Sequence, residues 1–119
     1  MLSLPSAVRI FLCLRPTDMR RSFDGLAAMV RQVLGADPLS GHLFVFISRR
    51  ADRVKILYWD RDGLALWAKR LEQGTFRLPS AEGESVVLSA AQLALLLEGL
   101  ELAGATRRKR YRRLNDNEI

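Results

Sequence analysis

Apolar residues recur along this chain with two periods, and the switches between them mark its elements. Ala7 to Leu14 is mostly apolar and is stopped by Arg15-Pro16, which predicts a first strand. Thr17 then has the character of a helix N-cap, with Asp18 in the first turn where the helix dipole favours a carboxylate. Met19, Phe23, Leu26, Val30 and Val33 follow at helical spacing, Arg20, Asp24 and Arg31 fall on other faces, and Gly35 and Pro38 end the segment. Gly25 inside this helix costs about 1 kcal/mol against Ala, so close approach of a neighbouring strand is expected there.

Three strand-like runs come next. His42–Ile47 and Arg53–Trp59 are joined by Ser48-Arg49-Arg50-Ala51-Asp52, and the second is joined to Leu64–Leu71 by Asp60-Arg61-Asp62-Gly63. Gly63 is the residue expected to take the left-handed conformation that closes this short hairpin loop. A short strand is expected at Thr75–Leu78 and another at Ser85–Leu88. Ser89-Ala90-Ala91-Gln92 then has the spacing of a capping box, opening a helix with Leu93, Leu96, Leu97 and Leu100 on one wide apolar face. The order β-α-β-β-β-β-β-α is that of an α+β single domain. Consecutive hairpins predict an antiparallel sheet of about five to six strands with both helices packed on one face, because parallel pairing needs long crossovers.

At 119 residues and 49% hydrophobic, the chain has the size and apolar content of one domain with one core. Its longest apolar region, Val86–Ala105, is broken by Gln92, Glu98 and Glu101, so no transmembrane helix is expected. Pro5 and Arg9 interrupt the apolar N-terminus and no basic residue precedes them, which argues against a secretory signal peptide. One cysteine, Cys13, in an apolar run allows no internal disulfide and fits a buried thiol in a reducing cytoplasm.

Charge is distributed unevenly. Residues 1–106 hold 13 Lys and Arg against 11 Asp and Glu, a net of +2, while residues 107–119 hold 6 against 2, a net of +4. The basic tail has few apolar groups to offset its ordering entropy and reads as a flexible arm. Such an arm suits a polyanion such as DNA or RNA, or serves only as a solubilising end. In the hairpin, alternation puts Val54, Ile56 and Tyr58 on one face and Arg53, Lys55, Leu57 and Trp59 on the other. If the turn sets Trp59 beside Ala65, Trp67 and Lys69 join that second face, interleaving cations with aromatic rings as single-strand binders do. A slip of one residue sends Trp67 to the opposite face, where it becomes a core or partner-binding residue.

Three segments carry a family resemblance: TDMRRSFDGLAAMV at 17–30, DPLSGHLFVFISRRADRVKILYWDRDGLALWAKRLEQGTFRLP at 37–79, and LSAAQLALLLEGLEL at 88–102. Together they resemble the TnpB-type, or Orf2-like, accessory proteins of the insertion-sequence 66 family of bacterial transposable elements. This family is distinct from the RNA-guided nuclease of the same short name. The resemblance spans nearly the whole chain, with TDMR, FDGL, SGHLFVF, a VK-x-L-x-WD-x-DGL-like run, KRLE-x-G-x-F and LLLEG in order. It implies a small accessory protein encoded beside a separate transposase and needed for efficient transposition, with no established catalytic activity. The family commonly has glycine where this chain has Ala51 after the paired arginines and Ser22 in the helix, departures that bear on local backbone geometry.

Catalytic candidates are thin. Asp18, Asp24, Asp52, Asp60 and Asp62 are the carboxylates from which a two-metal nuclease site could be built, but the turn accounts for Asp60 and Asp62 and the helix start for Asp18. His42, the single histidine, reads as a strand-end hydrogen-bonding residue rather than a zinc ligand. No glycine-rich phosphate loop joins a strand to a helix. The chain is therefore expected to be no enzyme, to use no cofactor and no metal, and to act in the bacterial cytoplasm, at the nucleoid if it binds DNA. The first functional reading is binding of element-end DNA or the transposition complex through Arg49, Arg50, Arg53, Lys55, Lys69, Arg70 and the tail residues Arg107, Arg108, Lys109, Arg110, Arg112 and Arg113, with Tyr58, Trp59 or Trp67 for stacking or packing. The second is docking on the element's transposase through an apolar patch that includes the Leu93–Leu100 helix. Salt separates them, because phosphate contacts weaken steeply with ionic strength and apolar docking does not.

Overall fold

The structure is a computed structural model that describes residues 7–99, so Leu100 and the basic tail lie outside it. Among the described residues the chain forms β1 (Ile10–Cys13), α1 (Phe23–Gln32), β2 (Leu43–Ile47), β3 (Arg53–Asp60), β4 (Gly63–Arg70), β5 (Ser85–Leu88) and α2 (Ala90–Glu98). The five strands make one sheet in the order β4-β3-β2-β1-β5. The expected α+β domain is present, with two corrections to its architecture. The sheet is mixed rather than antiparallel, because β1 and β2 pair in parallel, Ile10 with Leu43 through Leu12 with Val45. The roughly thirty residues between them, including α1, are the long crossover that parallel pairing requires.

The two helices also cover opposite faces of the sheet. One apolar cluster joins Ile10, Leu12, Leu43, Val45, Ile47, Val54, Ile56 and Leu88 to Leu93, Leu96 and Leu97 of α2. The other joins Cys13, Phe44, Phe46 and Leu57 to Leu26, Ala27, Met29 and Val30 of α1. A strand buried on both sides needs no alternation, and β2 (LFVFI) is buried at every position. No described helix is long and apolar enough to cross a membrane.

Several local expectations change for physical reasons. Thr17 is not the N-cap of α1. It is 4% exposed, and its N–H donates to the Ile47 carbonyl at 3.0 Å while its hydroxyl donates to the Arg15 carbonyl at 3.3 Å. Asp18 instead folds a separate turn, accepting from the Arg20 N–H at 2.9 Å, while the Arg21 N–H donates to the Asp18 carbonyl at 3.1 Å. The helix begins only at Phe23, with Ser22 in the N-cap position and no side-chain cap. Gly25 faces no strand, since a Cβ there would meet the Arg21 side chain at 3.2 Å.

The β3–β4 hairpin closes as Asp60 opposite Gly63, and the positive φ falls on Arg61 at 59°, not on Gly63. The Asp62 N–H donates to the Asp60 carbonyl at 2.6 Å, so Arg61 is the centre of a tight three-residue turn. Thr75–Leu78 is not a strand. Phe76 enters the α2-side core at 2% exposure, and its N–H is bound to the Ala51 carbonyl at 2.6 Å. The capping box of α2 is complete, with Gln92 N–H on Ser89 Oγ at 3.0 Å and Ser89 N–H on Gln92 Oε1 at 2.8 Å. Gly99 ends the helix at φ 88°, its N–H shared by the Leu95 and Leu96 carbonyls.

Candidate nucleic-acid interface

The hairpin register decides which side chains share a face. Trp59 pairs with Leu64, not Ala65, and this one-residue difference carries Trp67 opposite Ile56 and Lys69 opposite Val54. Tyr58 and Trp67 therefore lie on the α2 side and pack partly buried against its core. Arg53, Lys55, Leu57 and Trp59 lie on the α1 side with Leu64, Leu66, Ala68 and Arg70. The expected single face of interleaved rings and cations does not form. Trp59 is also separated from Arg53 along β3 by about 20 Å at the usual strand rise.

What the fold does gather is cations, at the end of the sheet where β1 and β2 finish and β3 begins. Ser48 builds the loop there. Its carbonyl accepts the Ala51 N–H at 2.9 Å, and its hydroxyl donates to Asp52 Oδ1 and accepts the Arg53 N–H, both at 3.1 Å. Ala51 takes φ 60°, the left-handed conformation that the family's glycine would adopt without strain. Arg49 and Arg50 are thereby held exposed at the loop tip. Immediately below, Arg53 and Arg70 are directly opposite in the β3–β4 ladder, and Lys69 lies exposed on the other face. Like charges placed opposite each other destabilise a strand pair. Glu72 relieves this partly, accepting from Arg70 Nε at 3.0 Å.

Lys55 is used differently. Its Nζ donates to the Met19 and Arg21 carbonyls, both at 2.8 Å, and so ties the Asp18–Arg21 turn to the sheet. The TDMR and VK segments of the sequence meet in the first of these bonds. Asp18 in that turn is gripped by Arg20 through Nε at 3.1 and 3.0 Å and Nη2 at 2.7 Å, and this holds its carboxyl down at about 2. Two cations the sequence reading passed over, Arg15 and Arg21, line with Arg49, Thr17, Asp18 and Gln32 a cleft of about 550 Å³ beside the loop. Arg15 also bridges to Glu84 at 2.9 Å. In the sequence Arg15 reads only as part of a strand stop, and Arg21 carries no signal beyond its place beside Arg20.

The remaining candidates have structural partners. His42 Nδ1 accepts the Arg9 N–H at 3.0 Å, the strand-end role expected of it. Asp60 and Asp62 belong to the turn, and no group of three or more His, Cys, Asp or Glu is arranged to hold a metal among the described residues. Cys13 is buried with its thiol donating to the Arg15 carbonyl at 3.6 Å, and desolvation raises its pKa. Leu93, Leu96 and Leu97 of the expected docking helix are consumed by the core, while its Leu100 lies outside the described residues.

Two proteins of Sinorhizobium fredii (strain NBRC 101917 / NGR234) are similar to this chain. Uncharacterized protein y4hO is 44% identical over 100 residues, which cover 82% of this chain and 87% of that protein. Uncharacterized protein y4jC is 39% identical over 94 residues, covering 79% and 80% respectively. No solved structure matches the chain. The family model described as IS66 Orf2 like protein matches residues 8–107, so the basic loop, the clamped turn and both helices all lie within the matched span, and the chain belongs to that family of accessory proteins of insertion-sequence transposition.

Proposed function

We propose that this chain assists transposition without catalysing it, by holding the sugar–phosphate backbone of element DNA at the cationic end of its sheet while a separate transposase performs the chemistry. The observation that carries this reading is the placing of Arg53 directly opposite Arg70 beneath the exposed Arg49-Arg50 tip. A sheet that keeps like charges opposite each other gives up stability locally, and an anionic partner recovers it. Arg49, Arg50, Arg53 and Lys69 are the principal phosphate contacts, with Arg15 and Arg21 at the margin. Arg70 contributes less because Glu72 holds its Nε, and Lys55 acts by positioning the Asp18–Arg21 turn. The tail cations Arg107–Arg113, which lie outside the described residues, add phosphate contacts of their own. Trp59 and Trp67 are not a stacking pair, and the contacts read backbone charge rather than base sequence. The protein works in the bacterial cytoplasm wherever the element's DNA is engaged.

Binding of an element-end duplex, followed by fluorescence anisotropy over a salt series, tests the assignment. Replacing Arg49, Arg50, Arg53 and Lys69 together by Ala is expected to lower the salt slope by about 3 to 4, at about 0.9 per phosphate contact. An unchanged slope would remove this surface from the interface. Transposase docking without DNA contact is the competing reading. Pull-down of the transposase from cells carrying the whole element, with and without nuclease, distinguishes them, since loss on digestion means DNA bridging and retention means direct docking.

A further inference from the structure

β4 ends the sheet on one side, and it is a poorly guarded edge. It runs eight residues, GLALWAKR, with no proline and no charge before Lys69. β5, at the opposite edge, is only four residues long, which is one of the ordinary ways of protecting an edge. The Leu71 N–H donates to the Asp52 carbonyl at 2.7 Å, which fixes the phase of the β3–β4 ladder. Odd-numbered residues of β4 turn their backbone groups toward β3, and Leu64, Leu66, Ala68 and Arg70 turn theirs outward. No described strand pairs with that outer side.

We infer that this edge joins two copies of the chain, with β4 of one pairing antiparallel to β4 of the other across a two-fold axis at Leu66 to make one continuous ten-stranded sheet. A two-fold axis perpendicular to the sheet keeps paired residues on the same face, so residue numbers opposite each other must sum to an even value. Centring on Leu66 sets Leu64 opposite Ala68, Ala65 opposite Trp67 and Leu66 opposite itself, so each large side chain other than the central leucine meets a small one. It also sets Asp62 opposite Arg70, twice by symmetry. The Arg70 amino groups not engaged by Glu72 are then available to the Asp62 carboxylate of the second copy. Centring on Trp67 instead puts Trp67 against itself, Leu64 against Arg70 and Asp62 against Glu72, and is rejected on size and charge. A partner of unrelated sequence has no reason to match this self-complementary pattern.

Sedimentation of the full chain is expected to show a dimer. Ala68→Pro, which removes an outward N–H from an exposed edge position, is expected to give a folded monomer with unchanged circular dichroism and a melting temperature that no longer depends on protein concentration. D62R and R70D each place like charges opposite one another at both ends of the pairing and are expected to be monomeric alone. Mixed one to one they restore two complementary pairs, and a heterodimer is expected. A wild-type chain that stays monomeric at the highest attainable concentration overturns the inference, as does a dimer indifferent to all three substitutions. So does a mixture of D62R and R70D that fails to associate when each variant is folded.

Discussion

Ala51 and Arg61 hold positive φ without being glycine, at 60° and 59°, and a left-handed conformation costs an ordinary residue about 1–2 kcal/mol. Arg61 is exposed at the turn tip, so Arg61→Gly is expected to raise stability by about 1 kcal/mol in chemical denaturation. Ala51→Gly gains less, because the Ala51 methyl packs against the α2-side core and its loss offsets part of the relief. Gly63→Ala is expected to be silent, since its φ is ordinary and a Cβ there meets open space. A marked loss at Gly63 would overturn the turn geometry. Asp18 offers a test by titration. Its carboxyl, held at about 2 by Arg20, is expected to return toward 3.8 in Arg20→Ala when followed by NMR. Because the folded value is the lower one, the stabilising effect of the contact is complete above about pH 4 and is lost as pH falls through about 2.

At the scale of elements, the best-defined helix end is the one with the most local chemistry. The Ser89–Gln92 box was legible because all its partners lie within four residues, and Ser89→Ala is expected to cost about 1 kcal/mol. The start of α1 differs from the pattern because the Thr17 N–H finds its partner on Ile47, which only tertiary context reveals, while Asp18 closes a local turn on Arg20 that competes with a helix start. The same holds for Lys55, a charged residue in a strand that alternation assigns to a solvent face. Its ammonium secures two carbonyls of the turn before α1, and Lys55→Met is expected to cost about 2 kcal/mol, because at least the partly buried Met19 carbonyl is left without a donor. Trp67 shows the sharpest limit of pattern reading. Alternation along β4 was plain, but its face depended on whether Trp59 meets Leu64 or Ala65, which the turn at Arg61 decides.

For the molecule as a whole, the sequence divided charge between a nearly balanced body and a basic tail, and folding then sorts the body further. Arg49, Arg50, Arg53, Lys69 and Arg70 converge on one end of the sheet, although 20 residues separate the first from the last. If that end and the tail serve one polyanion, their contributions to the salt slope are separable. Truncation after Thr106 removes six cations, which at about 0.9 per contact would lower the slope by roughly 5 if every one touched a phosphate. With fewer than six of these contacts made, the expected fall is about 2 to 4, read separately from the change due to the loop substitutions. The melting temperature is expected to hold, since the buried residues of both described core clusters lie between Ile10 and Leu97, upstream of the cut. A truncated chain that keeps its full affinity and slope reduces residues 107–119 to a solubilising end. One that loses its folded signal shows instead that the tail is part of the domain.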